Sequence, residues 1–165
     1  MTAKQSQVAR VMARDVVSVS GSDSVRDALD LMAENHVSGL PVVAADDRCV
    51  GVISVSDILT IEQEHQATDD EALGSYFDPD NQRWEHVRIM KDDETLADIT
   101  VAEVMSRDLT SVKPDTPIND VAQLMMNLEI HRVLVIGDDG VLHGIISAFD
   151  FVRLWATECP TIKVV

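Results

Sequence analysis

The sequence is poor in features that assign proteins to several large classes. It has two cysteines among 165 residues, Cys49 and Cys159, too few and too far apart in sequence for a disulfide framework or a zinc site. No apolar run approaches the roughly 18 residues that a membrane-spanning helix needs, and the opening residues lack the apolar stretch of a signal peptide. We therefore expect a cytoplasmic protein that does not bind membranes.

Positive charge is also scarce. Thirteen Lys and Arg residues stand against 29 Asp and Glu residues, which gives a formal net charge of −16 at pH 7. Such a chain repels phosphate backbones and anionic lipid headgroups, and it shows no concentrated basic patch, so we expect no nucleic-acid partner. A small anionic ligand stays open, because two or three local cations can dominate the field inside a pocket.

The residue patterns of catalysis are missing as well. The five histidines are scattered, no serine or cysteine stands in a nucleophile motif, and no Walker-type loop is present. Glu62 and His65 lie three apart on a predicted helix, and the DPDN segment adds carboxylates, but the glycine at the sixth position of a calcium loop is absent. We therefore predict no catalytic residues and no metal, with a solvated acidic loop in place of a metal site.

What the sequence does contain is an internal repeat. Shifted by 93 positions, residues 8–59 align with residues 101–152 without a gap, and 17 of the 52 pairs are identical. The segment GVISVSD thereby meets GIISAFD. Two copies of one structural unit follow.

Each copy predicts the same order of elements. VARVM and VAEVM lead into alternating strands, VVSV and LTSV. Helices are expected next, with Asp23 and Thr116 at the N-cap and with methionines and other apolar residues on one buried face. Two short strands follow, joined by a hairpin turn in which Gly140 is left-handed, and a second helix begins near Ser54 or Ser147. The fold class is α/β, with each repeat built as strand-helix-strand-strand-helix.

The repeats leave an acidic segment between them. We assign residues 8–61 to the first repeat, 62–98 to the insert and 99–155 to the second repeat. The TDDEALGSYFDPDNQ portion of the insert contains Gly74, Pro79 and many carboxylates, and it predicts a solvated loop after an extension of the first repeat's last helix. Its WEHVRIM portion is expected to form a strand or an extra packing element.

The repeated Gly-x-x-Ser-x-x-Asp pattern has two interpretations. Ser54 with Asp57, and Ser147 with Asp150, form a capping-box-like pair in which the serine accepts an orphan N–H and the carboxylate favours the positive helix end. The glycines would then serve only the close approach of backbone. The same helix end is also an anion site, and an aspartate there can accept both hydroxyls of a ribose. The local pattern favours the helix cap.

The whole pattern is more specific than the motif. The segments VMARDVVSV, LPVV and GVISVSD, and in the second copy VMSRDLTSVKPDTP, HRVLVI and GIISAFD, closely resemble a pair of CBS (cystathionine beta-synthase) domains, or Bateman module. The resemblance covers residues 8–155 apart from the insert. It implies two repeats packed with pseudo-two-fold symmetry, a regulatory role on an unidentified effector protein, and a homodimer in which two modules pair into a flat disc.

The resemblance also implies an adenosine-containing ligand in two clefts between the repeats: AMP, ADP or ATP, with S-adenosylmethionine as the alternative. Asp57 and Asp150 would hold ribose hydroxyls, and Ser54 and Ser147 would lie near ribose or phosphate. The base would be lined by the starts of the first strands, at Val16, Val17, Leu109 and Thr110.

The two clefts differ in sequence. His131 and Arg132 stand before the second strand of copy two, and they look like the phosphate-contacting pair in the nucleotide-sensing gamma subunit of AMP-activated kinase. If basic residues of one repeat serve the aspartate of the other, the Asp57 cleft gains phosphate binding, and we predict at most one strong site. Phe149, in place of a serine, would narrow one cleft. A surface ion pair for Arg132, and a ligand-free scaffold or dimerisation module for the chain, remain open alternatives.

Overall fold

The computed structural model describes residues 6–65, 73–78, 83–88 and 95–158. A short 3-10 helix, Val8–Arg10, precedes the regular elements. Those elements are, in chain order, β1 (Val19–Ser20), α1 (Val25–Glu34), β2 (Gly39–Val43), β3 (Cys49–Ser54), α2 (Val55–His65), β4 (Leu73–Asp78), β5 (Arg83–Arg88), α3 (Thr95–Asp98), α4 (Val101–Val104), β6 (Ser111–Val112), α5 (Ile118–Leu128), β7 (Arg132–Ile136), β8 (Leu142–Ser147) and α6 (Ala148–Glu158). The predicted order of strand, helix, strand, strand and helix is confirmed in both copies.

Two compact units divide the chain. The first unit is Val17–Leu109, and the second unit is Met1–Val16 together with Thr110–Val165. This division differs from the repeat boundaries in the sequence, because the opening segment of each copy lies in the unit built around the other copy. Each unit therefore combines the body of one repeat with the start of the other.

The first unit is built on the sheet β1-β2-β3. Strand β1 runs parallel to β2, and β2 pairs antiparallel with β3 from Gly39 opposite Ser54 onward. The helices cover this sheet because their apolar residues recur at the spacing of one helix face. The core side chains are Val19, Val25, Ala28, Met32, Leu40, Val42, Ile53, Val55, Ile58, Leu96 and Val101.

The second unit repeats this arrangement in β6-β7-β8. Strand β6 is parallel to β7, and β7 pairs antiparallel with β8 from Arg132 opposite Ser147. Even the register irregularity recurs, between Val42 and Val43 in one sheet and between Val135 and Ile136 in the other. The core side chains are Val8, Met12, Ile118, Val121, Met125, Val133, Val135 and Ile146.

The opening segment of each copy lies against the third strand of its unit. Ala13 exchanges two backbone hydrogen bonds with Ile145, both 2.9 Å, and Ser106 does the same with Val52. The motif glycines make this approach possible, since a Cβ on Gly144 would lie 2.5 Å from the carbonyl oxygen of Ala13. The interpretation of these glycines as sites of close backbone approach is confirmed.

The insert contains regular structure where a solvated loop was predicted. Helix α2 extends to His65, as expected, but β4 and β5 then pair as an antiparallel hairpin, and α3 follows. Leu96 on α3 is 1% exposed and belongs to the core of the first unit. The loop prediction is therefore wrong over Leu73–Asp78, and the strand predicted around WEHVRIM is confirmed over Trp84–Arg88. The side chains of Glu62 and His65 lie outside the described residues.

The helix starts fall one residue later than predicted. Ser24 is the N-cap of α1 and forms a capping box with Asp27, and Pro117 is the N-cap of α5. Asp23 and Thr116 instead close the preceding turns, because their side chains accept the N–H groups of the residues three positions earlier. Asp23 and Thr116 therefore stabilise the turns that precede the helices, and they do not cap the helices themselves.

Three further details refine the sequence analysis. Gly140 is left-handed with φ of 81°, as predicted, and Asp47 holds the matching position with φ of 62°. His36 and Glu129 are also left-handed, with φ of 54° and 55°, at the ends of α1 and α5. Met126 is 78% exposed, so its prediction as a core methionine is wrong.

Candidate ligand-binding site

The topology of the first unit places the motif residues at one end of its sheet. Strand β2 starts at the end where β3 stops, because the two strands are antiparallel with Gly39 opposite Ser54, and β1 runs in the same direction as β2. Ser54 is the last residue of β3, and the N–H of Val55 donates to the carbonyl of Ser38 over 2.9 Å. Val17, two residues before β1, is 36% exposed at the same end.

Ser54 and Asp57 form the predicted helix cap. The Asp57 Oδ2 atom accepts the Ser54 backbone N–H at 2.8 Å and the Ser54 hydroxyl at 2.6 Å, and the Asp57 N–H donates to Ser54 Oγ at 3.4 Å. These bonds use one carboxylate oxygen of a half-buried side chain. The cap itself does not use the other oxygen, Oδ1.

The second unit brings the corresponding residues together in the same way. Asp150 Oδ2 accepts the N–H and the hydroxyl of Ser147, both at 2.8 Å. Arg132 lies opposite Ser147 in the β7–β8 register, and the N–H of Ala148 donates to the carbonyl of His131 at 2.8 Å. Of the two basic residues of the sequence prediction, His131 thus precedes the strand beside this cap and Arg132 begins it.

The residues predicted to line the base are divided between the units. Val16 belongs to the second unit and Val17 to the first, and in the other copy Leu109 belongs to the first unit and Thr110 to the second. The carbonyl of Thr110 accepts the N–H of Leu134 at 3.4 Å, which places Thr110 at the same sheet end as the cap of Asp150. The predicted service of Asp57 by Arg132 joins residues of different units and stays a prediction.

The two caps differ in what surrounds the carboxylate. Asp150 is 7% exposed, and its Oδ1 atom lies 3.8 Å from Nη2 of Arg153. The guanidinium of Arg153 also lies 5.9 Å from the ring centroid of Phe149. Thr60 holds the corresponding position in the first unit, and its hydroxyl donates to the carbonyl of Ser56 at 3.1 Å. Arg153 was not among the predicted site residues, although the 93-residue offset aligns it with Thr60.

Helices α5 and α6 carry large apolar side chains on their outer surface. Those with at least half of their area exposed are Met126, Leu128, Phe149, Val152 and Trp155. Phe149, Val152 and Trp155 recur every three residues along α6, so they share one side of the helix. The corresponding residue of Phe149 in the first unit is Ser56.

The described residues contain neither a metal site nor a membrane-spanning helix. No group of three or more His, Cys, Asp or Glu side chains in residues 6–65, 73–78, 83–88 and 95–158 has the arrangement of a metal site. Within the same ranges, no helix has both the length and the apolar character to cross a membrane.

Comparison with known proteins identifies the repeat. A family model described as the CBS domain matches residues 8–64 and again residues 101–156. The chain belongs to the CBS domain family. The predicted tandem pair is therefore confirmed, and the two matches coincide with the two copies found by the internal alignment.

Relatives of this CBS pair include chains of similar length and a much longer protein. An uncharacterized protein of Methanocaldococcus jannaschii is 32% identical over 147 residues, which are 87% of each chain. The inosine-5'-monophosphate dehydrogenase of the same organism is 26% identical over 87% of this chain but only 22% of its own length. The crystal structure of CBSX2 of Arabidopsis thaliana in complex with AMP is 25% identical, with a TM-score of 0.66, over 92% of this chain and 96% of that one.

Proposed function

We propose that this CBS pair is a regulatory module that binds an adenosine nucleotide and thereby controls a separate effector protein. The observation that carries the proposal is the conserved cap geometry, in which an aspartate at a helix start faces the same sheet end in each unit. The AMP complex of CBSX2, which shares this family and fold, supports the ligand class.

The cap residues offer chemistry suited to a ribose. In each unit the serine binds one oxygen of the aspartate, which fixes the carboxylate at the helix N-terminus. The remaining oxygen can accept hydroxyl donors, and hydrogen bonds to an ionised acceptor are stronger than neutral ones. Backbone N–H groups of the first helical turn favour a negative group nearby. Val17 and Thr110, together with Val16 and Leu109, are proposed to line the adenine.

Two basic residues favour a phosphorylated ligand. His131 precedes β7 and Arg132 begins it, and they are the residues through which we propose that a phosphate is held. AMP, ADP and ATP carry that group, so we prefer them to S-adenosylmethionine. We assign the phosphate contact to one ligand site only, because the first repeat has Ser38 and Gly39 at the matching positions.

The proposal extends to the oligomeric state, the location and the partners of the module. We propose a homodimer in the cytoplasm that acts without catalysis of its own and without nucleic acid or membrane as partner. The net charge of −16 supports the exclusion of polyanions. Regulation requires that the nucleotide bind one conformation of the module better than another, because a ligand with equal affinity for both shifts neither.

A thermal-shift experiment with AMP tests the proposal. Because Asp57→Ala and Asp150→Ala also remove a cap, which costs about 1 kcal/mol, each variant is compared with itself with and without AMP. Asp27→Ala is the matched control, since it breaks the Ser24–Asp27 capping box of α1 outside the proposed site. We expect AMP to raise the melting temperature of wild type and Asp27→Ala, and to lose this effect in Asp57→Ala.

A ligand-free scaffold is the second candidate, and the exposed apolar face of α6 favours it. In that case neither AMP, ADP, ATP nor S-adenosylmethionine raises the melting temperature of the wild-type protein. Replacement of Trp155 by Ala then reduces self-association in analytical ultracentrifugation, whereas the aspartate variants do not. If the ligand raises the melting temperature of all three aspartate variants as much as that of wild type, the proposed site is wrong, but the proposed ligand class is still supported.

A further inference from the structure

We propose that one side of α6 is the contact surface between two copies of this chain, with α6 of one copy packed antiparallel to α6 of the other. Phe149, Val152 and Trp155 form this surface, the α6 stripe. The inference rests on the proposed function, because it names the surface that joins the proposed homodimer. It goes further by assigning the contact to the second repeat alone and to one helix.

The side chains of the α6 stripe lie mostly in solvent. Phe149, Val152 and Trp155 expose 67%, 60% and 70% of their area, and their spacing puts them on one side of the helix. Together they present on the order of 400 Å² of apolar surface, about half of the ~800 Å² that each partner buries in a standard interface. Because aromatic anchors at the centre of an interface carry most of its binding energy, the stripe suits the centre of such a contact.

The first copy does not repeat the stripe in its sequence. The 93-residue offset aligns it with Ser56, Leu59 and Glu62, and Leu59 packs against the core of the first unit. Of the described residues, every large apolar side chain with at least half of its area exposed lies in the second unit. A single surface that binds its own copy closes into a two-fold pair, whereas two different complementary surfaces would build rings or filaments. The assembly should therefore stop at two chains.

The stripe is complementary to itself. In an antiparallel helix pair with the two-fold axis at Val152, this residue faces its own copy, and Phe149 of each chain faces Trp155 of the other. Two aromatic pairs then flank the small side chains at the axis, and such pairs add to the energy of the buried area alone. This symmetry selects a second copy as the partner of the stripe.

The distribution of charge favours the same contact. Each chain carries a net charge of −16, so two copies repel each other over most of their surfaces. Helix α6 has three charged residues, and two of them, Asp150 and Arg153, form an ion pair at 3.8 Å. Two acidic copies can meet at the stripe without bringing like charges together. Added salt should therefore strengthen the dimer by screening the remaining repulsion, whereas it would weaken an interface held by ion pairs.

Sedimentation velocity of the full-length chain tests the inference. We expect wild type to form a dimer, no larger species, and a tighter dimer as NaCl is added. Trp155→Ala should weaken the dimer about tenfold or more, because each dimer loses two such side chains. Val152→Glu, which sets two carboxylates face to face at the axis, should give a monomer. Leu128→Ala, at an exposed position on α5, is the control and should keep the wild-type dimer.

Cysteine cross-linking tests the two-fold geometry. In a chain with Cys49→Ser and Cys159→Ser, Val152→Cys should give a disulfide-linked dimer under mild oxidation. The reason is that packed helices with axes about 8–10 Å apart bring facing Cα atoms within disulfide reach. Ser56→Cys, at the position that matches Phe149 in the first copy, is the control and should stay unlinked.

The outcomes separate this inference from the proposed function. A wild-type dimer that survives both Trp155→Ala and Val152→Glu would overturn the inference and leave the proposed homodimer intact. A monomeric wild type, larger assemblies, an equal loss in Leu128→Ala, or faster cross-linking of Ser56→Cys than of Val152→Cys would also overturn it. Loss of the dimer in the two stripe variants alone supports the inference whether or not AMP binds, so a failure of nucleotide binding is told apart.

Discussion

The two units share a backbone plan and differ in what touches the carboxylate at its end. Sheet order, register irregularity, motif glycine and serine–aspartate cap are the same in both. The residues one position before the aspartate and three after it differ, as Ser56 and Thr60 in one and Phe149 and Arg153 in the other. Positions that set the sheet register, the close backbone approach and the helix cap are therefore the same in both copies. Exposed positions on the helix that follows the cap differ, and they make the two copies chemically unequal.

The largest expected effect concerns a core residue from outside the aligned repeat. Replacing Leu96 by Ala removes a side chain that is 1% exposed in the first unit, and we expect the free energy of unfolding to fall by about 2–5 kcal/mol. Urea denaturation measures this. Leu128→Ala, at a position 51% exposed, is the control and should change little. An equal loss in both variants would mean that α3 adds nothing specific to the core.

The motif glycines should resist substitution unequally. A Cβ on Gly144 meets a backbone oxygen at 2.5 Å, whereas on Gly51 the nearest atom, also at 2.5 Å, is the sulfur of Met105. We expect a loss of about 1–3 kcal/mol for each alanine variant, larger at Gly144 because backbone yields less than a methionine side chain.

Gly137→Ala is the matched control for this pair. Its Cβ would also meet an atom at 2.5 Å, but that atom is the carboxylate oxygen of Asp139, an exposed side chain that can move away. Thermal unfolding of the three variants should therefore place Gly137→Ala nearest to wild type. A loss there as large as at Gly144 would contradict the assignment of the cost to backbone contact.

Glycine substitutions at the left-handed helix ends should increase stability by equal, small amounts in both units. Glycine at His36 or Glu129 relieves a backbone conformation unfavourable for L-residues, and the greater freedom of glycine in the unfolded chain offsets part of the gain. We expect each variant to be stabilised by no more than about 1 kcal/mol. Asn35→Gly should instead destabilise, because Asn35 has φ of −95° and its side chain donates to the carbonyl of Leu31.

The smallest expected effect is the pH dependence of stability that Glu103 contributes at the start of the second copy. The Thr100 hydroxyl, and then its backbone N–H, hold the pKa of the exposed Glu103 carboxyl below its usual range. A lowered pKa in the folded state adds stability above the unfolded pKa, and that stability is lost as pH falls through the folded value. Glu103→Gln should thus melt slightly below wild type at pH 7 and together with it near pH 3. The same difference at both pH values would point to a cause other than ionisation.

The body of each repeat could be predicted from the sequence because its signals are local. Apolar spacing marks α1 and α5, and Gly140 marks a turn that only its backbone freedom explains. Strand β4 was missed because the carboxylates and glycine of its segment favour a loop on composition, and its pairing with β5 is not visible in either strand alone. Leu96 was missed for a similar reason, since its burial depends on residues distant in sequence.

The motif residues of the candidate site could be predicted from the sequence, whereas the side chains that contact them could not. Ser54 and Asp57, like Ser147 and Asp150, lie where the pattern places them, because a capping box fixes its own geometry over four residues. Arg153 forms an ion pair with Asp150 and a contact with the ring of Phe149. Both contacts depend on side-chain rotamers that no spacing rule specifies. The difference from Thr60 was nevertheless visible in the aligned copies.

The exchange of opening segments sets an order of events during synthesis. The first unit is continuous from Val17 to Leu109, so all of its core is synthesised before the part of the second unit that begins at Thr110. Val8 and Met12, although translated before the first unit, find their core partners only once Val133, Val135 and Ile146 follow. A nascent chain therefore carries an unpaired apolar arm while the first unit is made, and the core of the second unit is completed last.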